Sequence, residues 1–247
     1  MPDRLTIVTL TMRGRYPDGR LIVGDAINAD FEHCGERPVA VHVEYLPQLH
    51  FARAVNAAFS RVPEGDVLFL DDDTRAAEPD FLSKLQSYRD RYDLFCGYNV
   101  APDDSAQWGW APGYDPANGV VYEPYPPKDA ADRMTNRPTV HANFLDIYIT
   151  RHAIEELRGM IIDPVLDEGL YCEDIDLSLR AWQAGLRVGV APVKFIHLGG
   201  WGVYRGTEKN LWDRIHLNRR LTDEKWAHHY PLCAWPPERA NLEKLRG

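Results

Sequence analysis

Short apolar runs alternate with amphipathic stretches along most of this 247-residue chain. Apolar and β-branched runs predict strands at 5–10, 20–23, 38–43, 67–70 and 94–98. Apolar residues at three- and four-residue steps predict helices at 51–62 and 79–88. This alternation is typical of an α/β fold, with a mostly parallel sheet whose two faces are covered.

The same alternation resumes near residue 140. It predicts strands at 141–149, 186–190 and 193–196, and helices at 150–157, 173–184 and 208–229. Gly159 and Gly185 follow two of these helices, as glycine often does at a helix C-terminus. We predict a single domain over 1–207 and a helical extension over 208–247.

Residues 101–138 interrupt the pattern. They contain seven prolines together with the aromatic residues Trp108, Trp110, Tyr114, Tyr122 and Tyr125. Proline at this density blocks long helices, so we predict a loop-rich insertion with one short strand at 120–122. The aromatic side chains could stack on sugar rings or anchor the loop to the core, and the sequence leaves both alternatives open.

Composition narrows the class of protein. Hydrophobic residues make up 45% of the chain and charged residues 26%, as in ordinary globular proteins. A net charge of −9 argues against nucleic-acid binding, because such contacts depend on Lys and Arg. The four cysteines form no closely spaced pair, which predicts free thiols. We find no signal peptide or membrane span and expect a cytoplasmic protein.

The triplet Asp71-Asp72-Asp73 is the most informative motif. It follows the apolar run 67–70, which is predicted to be a strand buried on both faces. Open α/β sheets bind their ligands at the carboxyl ends of such strands. Three adjacent carboxylates repel one another unless a cation is present, and hard oxygen ligands suit Mg²⁺ or Mn²⁺. The alternative is a solvated acidic turn.

Other candidate residues lie at the ends of predicted elements. Glu173 and Asp174 begin a predicted helix, where the helix dipole alone would favour acidic residues. His197 ends a predicted strand and is followed by two glycines, which allow close approach of another group. Asp146 lies within the predicted strand 141–149, where a buried carboxylate needs a partner or a task.

Together these segments resemble family 2 glycosyltransferases of the GT-A fold. The resemblance rests on 66–74, 171–185 and 197–200, and on the ending 218–226, which is similar to that of bacterial rhamnosyl- and galactofuranosyl-transferase relatives. It implies a Rossmann-like, mostly parallel central sheet flanked by helices, with a C-terminal helical extension. It also implies a nucleotide and metal half over 1–100 and an acceptor half over 101–207.

The resemblance implies roles for individual residues around a nucleotide-sugar donor. The metal ligands for Mn²⁺ or Mg²⁺ would be Asp71, Asp73 and His197. The donor, linked to UDP, dTDP or GDP, would contact Thr9, Thr11, Asp25, Asp71 and Asp72. Asp174 would be the general base, with Glu173 as the second candidate.

The implied function is that of an inverting, metal-dependent glycosyltransferase acting on a glycan, a lipid-linked or a protein acceptor. One departure is the segment 11–20, which is too short for the helix that the family places between its first two strands. The alternative function is a catalytically silent carbohydrate-binding or scaffold protein with the same fold. The helix 208–229 could pack on the domain, form a homodimer or touch a membrane surface.

Overall fold

The computed structural model describes residues 5–11, 40–45, 51–62, 64–71, 74–104, 113–115, 119–121, 137–138, 142–144, 146–166, 172–197 and 211–226. Within these ranges the strands are β1 (Leu5–Thr11), β2 (Ala40–Tyr45), β3 (Asp66–Leu70), β4 (Thr74–Ala76), β5 (Leu94–Val100), β6 (Gly113–Asp115), β7 (Gly119–Val121), β8 (Arg137–Pro138), β9 (Asp146–Ile149) and β10 (Val188–His197). The helices are α1 (Phe51–Phe59), α2 (Phe81–Gln86), α3 (Arg151–Glu156), α4 (Glu173–Gln183) and α5 (Leu211–Trp226), with a 3-10 turn at Pro164–Leu166.

Eight strands form one sheet in the order β2-β1-β3-β9-β5-β10-β4, with β8 paired to β10. β1, β2, β3, β5 and β10 run in one direction. β9, β4 and β8 run against them. The α/β architecture with a mostly parallel sheet is therefore confirmed, while the antiparallel β9 at its centre is a feature that the sequence pattern did not indicate.

The sheet is buried on both faces, and most positions of its central strands are apolar. In β3, Val67 and Phe69 face one core cluster, which also contains Leu179 and Trp182 of α4. Leu68 and Leu70 face the other cluster, which contains residues of α2. This is the burial pattern that a continuous apolar run at the middle of a covered sheet predicts.

β10 differs from its prediction. The two strands predicted at 186–190 and 193–196 are one strand, Val188–His197, whose pairing with β5 shifts register between Val190 and Lys194. Pro192 lies in this shift, and proline has no N–H to donate to a ladder. The break in the apolar pattern is therefore a bulge and not a loop.

The other long prediction, a strand over 141–149, is also too long. The ladder begins only at Asp146, because the N–H of Ala142 donates to Ser178 Oγ of α4 (3.0 Å). The strand predicted at 20–23 lies outside the described residues. In the insertion, the strand predicted at 120–122 is found as β7, and β6 and β8 add two short strands that were missed.

Helix limits follow the predicted caps. Thr150 precedes α3, and its Oγ1 accepts from the N–H of Ala153 (3.2 Å), as a residue at an N-cap does. Gly159 and Gly185 have φ of +69° and +79°, the left-handed conformation that favours glycine after a helix. Cys96 and Cys172 are free thiols, as expected.

α5 is packed onto the domain through a buried carboxylate. Asp176 of α4 has no exposed surface, and its Oδ1 accepts from Trp226 Nε1 (3.0 Å) and lies 2.7 Å from Lys225 Nζ. Its Oδ2 accepts from Arg180 Nε (2.8 Å). Asn218 Nδ2 also donates to the carbonyl of Leu166 (3.1 Å). Of the alternatives for this helix, packing on the domain is thus confirmed.

We expect Asp176→Ala to lower the free energy of unfolding by about 3 kcal/mol, because it leaves the buried Trp226 Nε1 without its acceptor and the half-buried Arg180 without its carboxylate. The measurement is urea unfolding. Glu224→Ala is the matched control, since Glu224 and Arg220 form an exposed pair on α5 (3.8 Å) and such pairs contribute little. Equal stabilities for the two variants would contradict the anchoring role of Asp176.

Candidate functional site

Four of the six predicted site residues that the structure describes lie at one edge of the sheet. β1 ends with Thr9 and Thr11, Asp71 follows β3 directly, and His197 is the last residue of β10. These three strands run in the same direction, so their carboxyl ends share this edge. Asp25, Asp72 and Asp73 lie outside the described residues.

A tight turn brings the start of the acidic triplet to the histidine. The N–H of Thr74 donates to the carbonyl of Asp71 (3.0 Å), which closes the turn between β3 and β4. Thr74 is also the cross-strand partner of His197 in the antiparallel pair of β4 with β10. Asp71 and His197, which are far apart in the chain, are therefore both linked to Thr74 by backbone contacts.

The described residues hold only part of this proposed ligand set. Among them, no three His, Cys, Asp or Glu side chains come together as they would around a metal ion. Asp71 supplies a carboxylate and His197 an imidazole, and both are half-buried. Carboxylate oxygens suit both Mn²⁺ and Mg²⁺, and Mn²⁺, as a transition metal, also accepts an imidazole, so the chemistry of the residues present fits Mn²⁺ best.

Two buried hydroxyls at the same edge have no partner among the described residues. They are Thr9 Oγ1 and Thr74 Oγ1, and their side chains are 1% and 6% exposed. β1 lies beside β3, with Val8 opposite Phe69. Because buried polar groups are normally hydrogen-bonded, two such hydroxyls beside the acidic turn indicate an edge built for polar contacts.

The N-terminus of α4 carries Glu173 and Asp174, the two acidic residues predicted as candidates for the general base. Cys172 precedes the helix with φ of +68°, an uncommon conformation for a residue with a side chain. This left-handed residue turns the chain so that Glu173 and Asp174 begin the helix. Asp174 Oδ1 accepts from the N–H of Ile175 (2.8 Å), and both acidic side chains are half-buried.

Burial and neighbouring charge raise the pKa values of two groups in this region, Glu173 and Cys96. Burial raises the pKa of Glu173 to about 8, and the negative charge of Asp174 adds to this shift. Burial also raises the pKa of Cys96 in β5, with smaller contributions from the charges of Asp146 and Asp174. Asp174 therefore lies close enough to the centre of the sheet to act on β5.

Asp146 is the carboxylate that the sequence predicted to lie within a strand, without predicting its partner or its role. It has no exposed surface, and its two oxygens accept from the N–H of Gly97 and from Asn99 Nδ2, both at 2.6 Å. Burial raises its pKa to about 7, and these two hydrogen bonds oppose the shift. Sequence reasoning missed Asn99; the available signal was a polar residue near the end of an otherwise apolar strand.

Within the described ranges, every helix is too short or too polar to cross a bilayer. No protein-family model matches the chain, and no curated protein matches it. Solved structures do match. The crystal structure of GalNAc-T7 with UDP, GalNAc and Mn²⁺ is 14% identical with a TM-score of 0.52, and the match covers 99% of this chain and 54% of that one.

A Drosophila β1,4-galactosyltransferase 7 mutant, in complex with manganese, UDP-Gal and xylobiose, is 16% identical with a TM-score of 0.49. That match covers 83% of this chain and 76% of the other. The chain spans about half the length of GalNAc-T7. At these identities the likeness concerns the fold alone, and the α/β sheet described above is the GT-A fold of glycosyltransferases.

Proposed function

We propose that this protein is an inverting, metal-dependent glycosyltransferase of family 2 that moves a sugar from a nucleotide-sugar to an acceptor hydroxyl. The observation that supports the proposal is that Asp71 and His197, at the carboxyl edge of the sheet, are both linked to Thr74. The acidic start of α4 contributes a second set of carboxylates near β5. The GT-A fold supports the same function by analogy, since GalNAc-T7 holds UDP, GalNAc and Mn²⁺ in its crystal structure.

The residues that would hold Mn²⁺ or Mg²⁺ are Asp71, Asp73 and His197. When bound, such an ion neutralises charge on the departing nucleoside diphosphate. Thr74 closes the turn that begins at Asp71 and is the cross-strand partner of His197, so one residue links the two proposed ligands.

The donor would lie along the same edge, towards β1. Thr9 and Thr11 can donate hydroxyl hydrogen bonds to the nucleotide, and Asp25 and Asp72 complete the proposed donor contacts. Thr9 Oγ1 supports this assignment, because it is buried beside β3 and has no partner among the described residues. The nucleoside diphosphate of the donor would be UDP, dTDP or GDP.

The base would be Asp174, acting on the acceptor hydroxyl. The acceptor oxygen attacks the anomeric carbon, the bond from that carbon to the diphosphate oxygen breaks, and the hydroxyl proton passes to the carboxylate. Because attack and departure are in line, the configuration at the anomeric carbon inverts. Glu173 has a raised pKa of about 8, so it carries a proton at neutral pH and cannot accept another.

The catalytically silent alternative explains these features less well. Mutually repelling carboxylates at one sheet edge destabilise a protein that binds no cation there. Asp146 and Glu173 both have raised pKa values at this part of the fold, and perturbed groups cluster at functional sites. The acceptor class, whether a glycan, a lipid-linked or a protein hydroxyl, is left to the assay.

We expect slow release of nucleotide from one of the UDP-, dTDP- or GDP-linked sugars with Mn²⁺ or Mg²⁺, and none with EDTA. Asp71→Asn and His197→Ala should each lower this rate by about 100-fold, because each loses a metal ligand. His152→Ala is the control, since this exposed histidine lies on α3 at the opposite edge of the sheet. Failure of every donor to bind or to be cleaved would favour the silent alternative.

Two neighbouring substitutions identify the base. Asp174→Asn should lower metal-dependent nucleotide release, in which water is the acceptor, by about 10²–10⁴-fold. Glu173→Gln should keep most activity at pH 7, because glutamine resembles the protonated carboxyl that a pKa of about 8 predicts. The reverse result, with a rate that rises through pH 8 in the unchanged protein, would make Glu173 the base.

A further inference from the structure

Asp146 and Asn99 form a buried polar pair inside the sheet. Asp146 has no exposed surface and Asn99 is 4% exposed, and Asn99 Nδ2 donates to Asp146 Oδ1 at 2.6 Å. The other carboxylate oxygen accepts from the N–H of Gly97 at the same distance. Neither side chain is open to solvent, so the pair cannot touch a ligand directly and could affect the site only through neighbouring residues.

The pair lies between the two strands that carry the proposed metal ligands. On one side, Asp146 is the cross-strand partner of Leu70, the residue before Asp71. On the other side, Asn99 is the register partner of Phe195, two residues before His197. β9 and β5 separate β3 from β10 in the sheet, and the Asp146–Asn99 hydrogen bond joins them near their site ends.

β10 passes unusually close to β5 at this point. A Cβ on Gly97 would lie 2.4 Å from the carbonyl of Val193, 2.6 Å from Phe195 Cδ2 and 2.7 Å from Asp146 Oδ2. Only glycine allows this approach, which follows the register shift of β10. The carboxylate of Asp146 thus sits against the bend that carries β10 towards His197.

Burying this polar pair is unfavourable in free energy, more so than a purely structural role would require. Burial of the Asp146 carboxylate is unfavourable, as its raised pKa of about 7 shows. Asn99 Oδ1 is also buried, with no hydrogen-bond partner among the described residues. Apolar side chains would fill a sheet interior more stably, and departures from local stability are expected at functional sites.

We propose that the Asp146–Asn99 pair is a positioning device, which sets the separation between the Asp71 turn and His197 and thereby the affinity for the divalent cation. The inference rests on the proposed function, since it concerns the same metal site. The chain of contacts runs from Asp71 through Leu70 to Asp146, then through Asn99 and Phe195 to His197.

The test is Mn²⁺ affinity, measured by electron paramagnetic resonance in the presence of UDP, dTDP or GDP. Asp146→Asn and Asn99→Ala should each weaken Mn²⁺ binding by about 10–100-fold, the range typical of residues that orient metal ligands. Asn99→Ala leaves the carboxylate in place, so it reports on positioning without a change of charge. Urea unfolding of each variant shows that the protein is folded under the conditions of the titration.

Asp93→Asn is the matched control. Asp93 is a buried carboxylate that precedes the same strand β5, but at the opposite edge, where it accepts from Arg187 Nε and Nη2, both at 2.9 Å. The Asp93→Asn variant should be less stable than the unchanged protein but should bind Mn²⁺ with the same affinity. The double variant of Asp146 and Asn99 should bind Mn²⁺ no more weakly than the worse single variant, because partners in one interaction are not additive.

Three results would overturn the inference. Unchanged Mn²⁺ affinity in both single variants would remove the positioning role while the proposed function stands. An equal loss in Asp93→Asn would show that general destabilisation is responsible. If the unchanged protein binds no Mn²⁺ with any of the three nucleotides, the proposed function itself fails and the inference fails with it.

Discussion

The close passage of β10 over β5 at Gly97 is the constraint on which the site depends. β10 begins as an ordinary parallel neighbour of β5 and ends beside the antiparallel β4. It can do both because its register shifts near Pro192 and because Gly97 has no side chain in the way. His197, at the end of β10, is thereby paired with Thr74, which closes the turn that begins at Asp71.

Buried carboxylates have different partners at the two edges of the sheet. At the amino edge, Asp93 pairs with Arg187, and Asp66 lies 3.2 Å from Arg89 Nε. At the carboxyl edge, Asp146 is held by an N–H and an amide, which do not cancel its charge. Burial raises the pKa of Asp146 to about 7, and burial together with the charge of Asp174 raises that of Glu173 to about 8.

Patterns that are local in the chain were the predictable part of the structure. Buried β3, the cap at Thr150 and the glycines after α3 and α4 each depend on neighbouring residues, and all were found as expected. The ordered motifs also placed Asp71 and His197 at strand ends. Long-range pairing was not predictable: the antiparallel β9, the single bulged β10 and the Asp146–Asn99 bond join residues that no local pattern connects.

The acidic residues of α4 are close in sequence but lie in different places in the fold. Asp174 and Asp176 are two residues apart, so on a helix of 3.6 residues per turn they project about 200° apart, to nearly opposite sides. Asp174 lies at the start of the helix, where its charge acts on β5. Asp176 is fully buried against Trp226, Arg180 and Lys225. The two acidic residues therefore have different surroundings: the Asp176 carboxylate joins α5 to α4, while the Asp174 carboxylate accepts from the N–H of Ile175 at the start of α4.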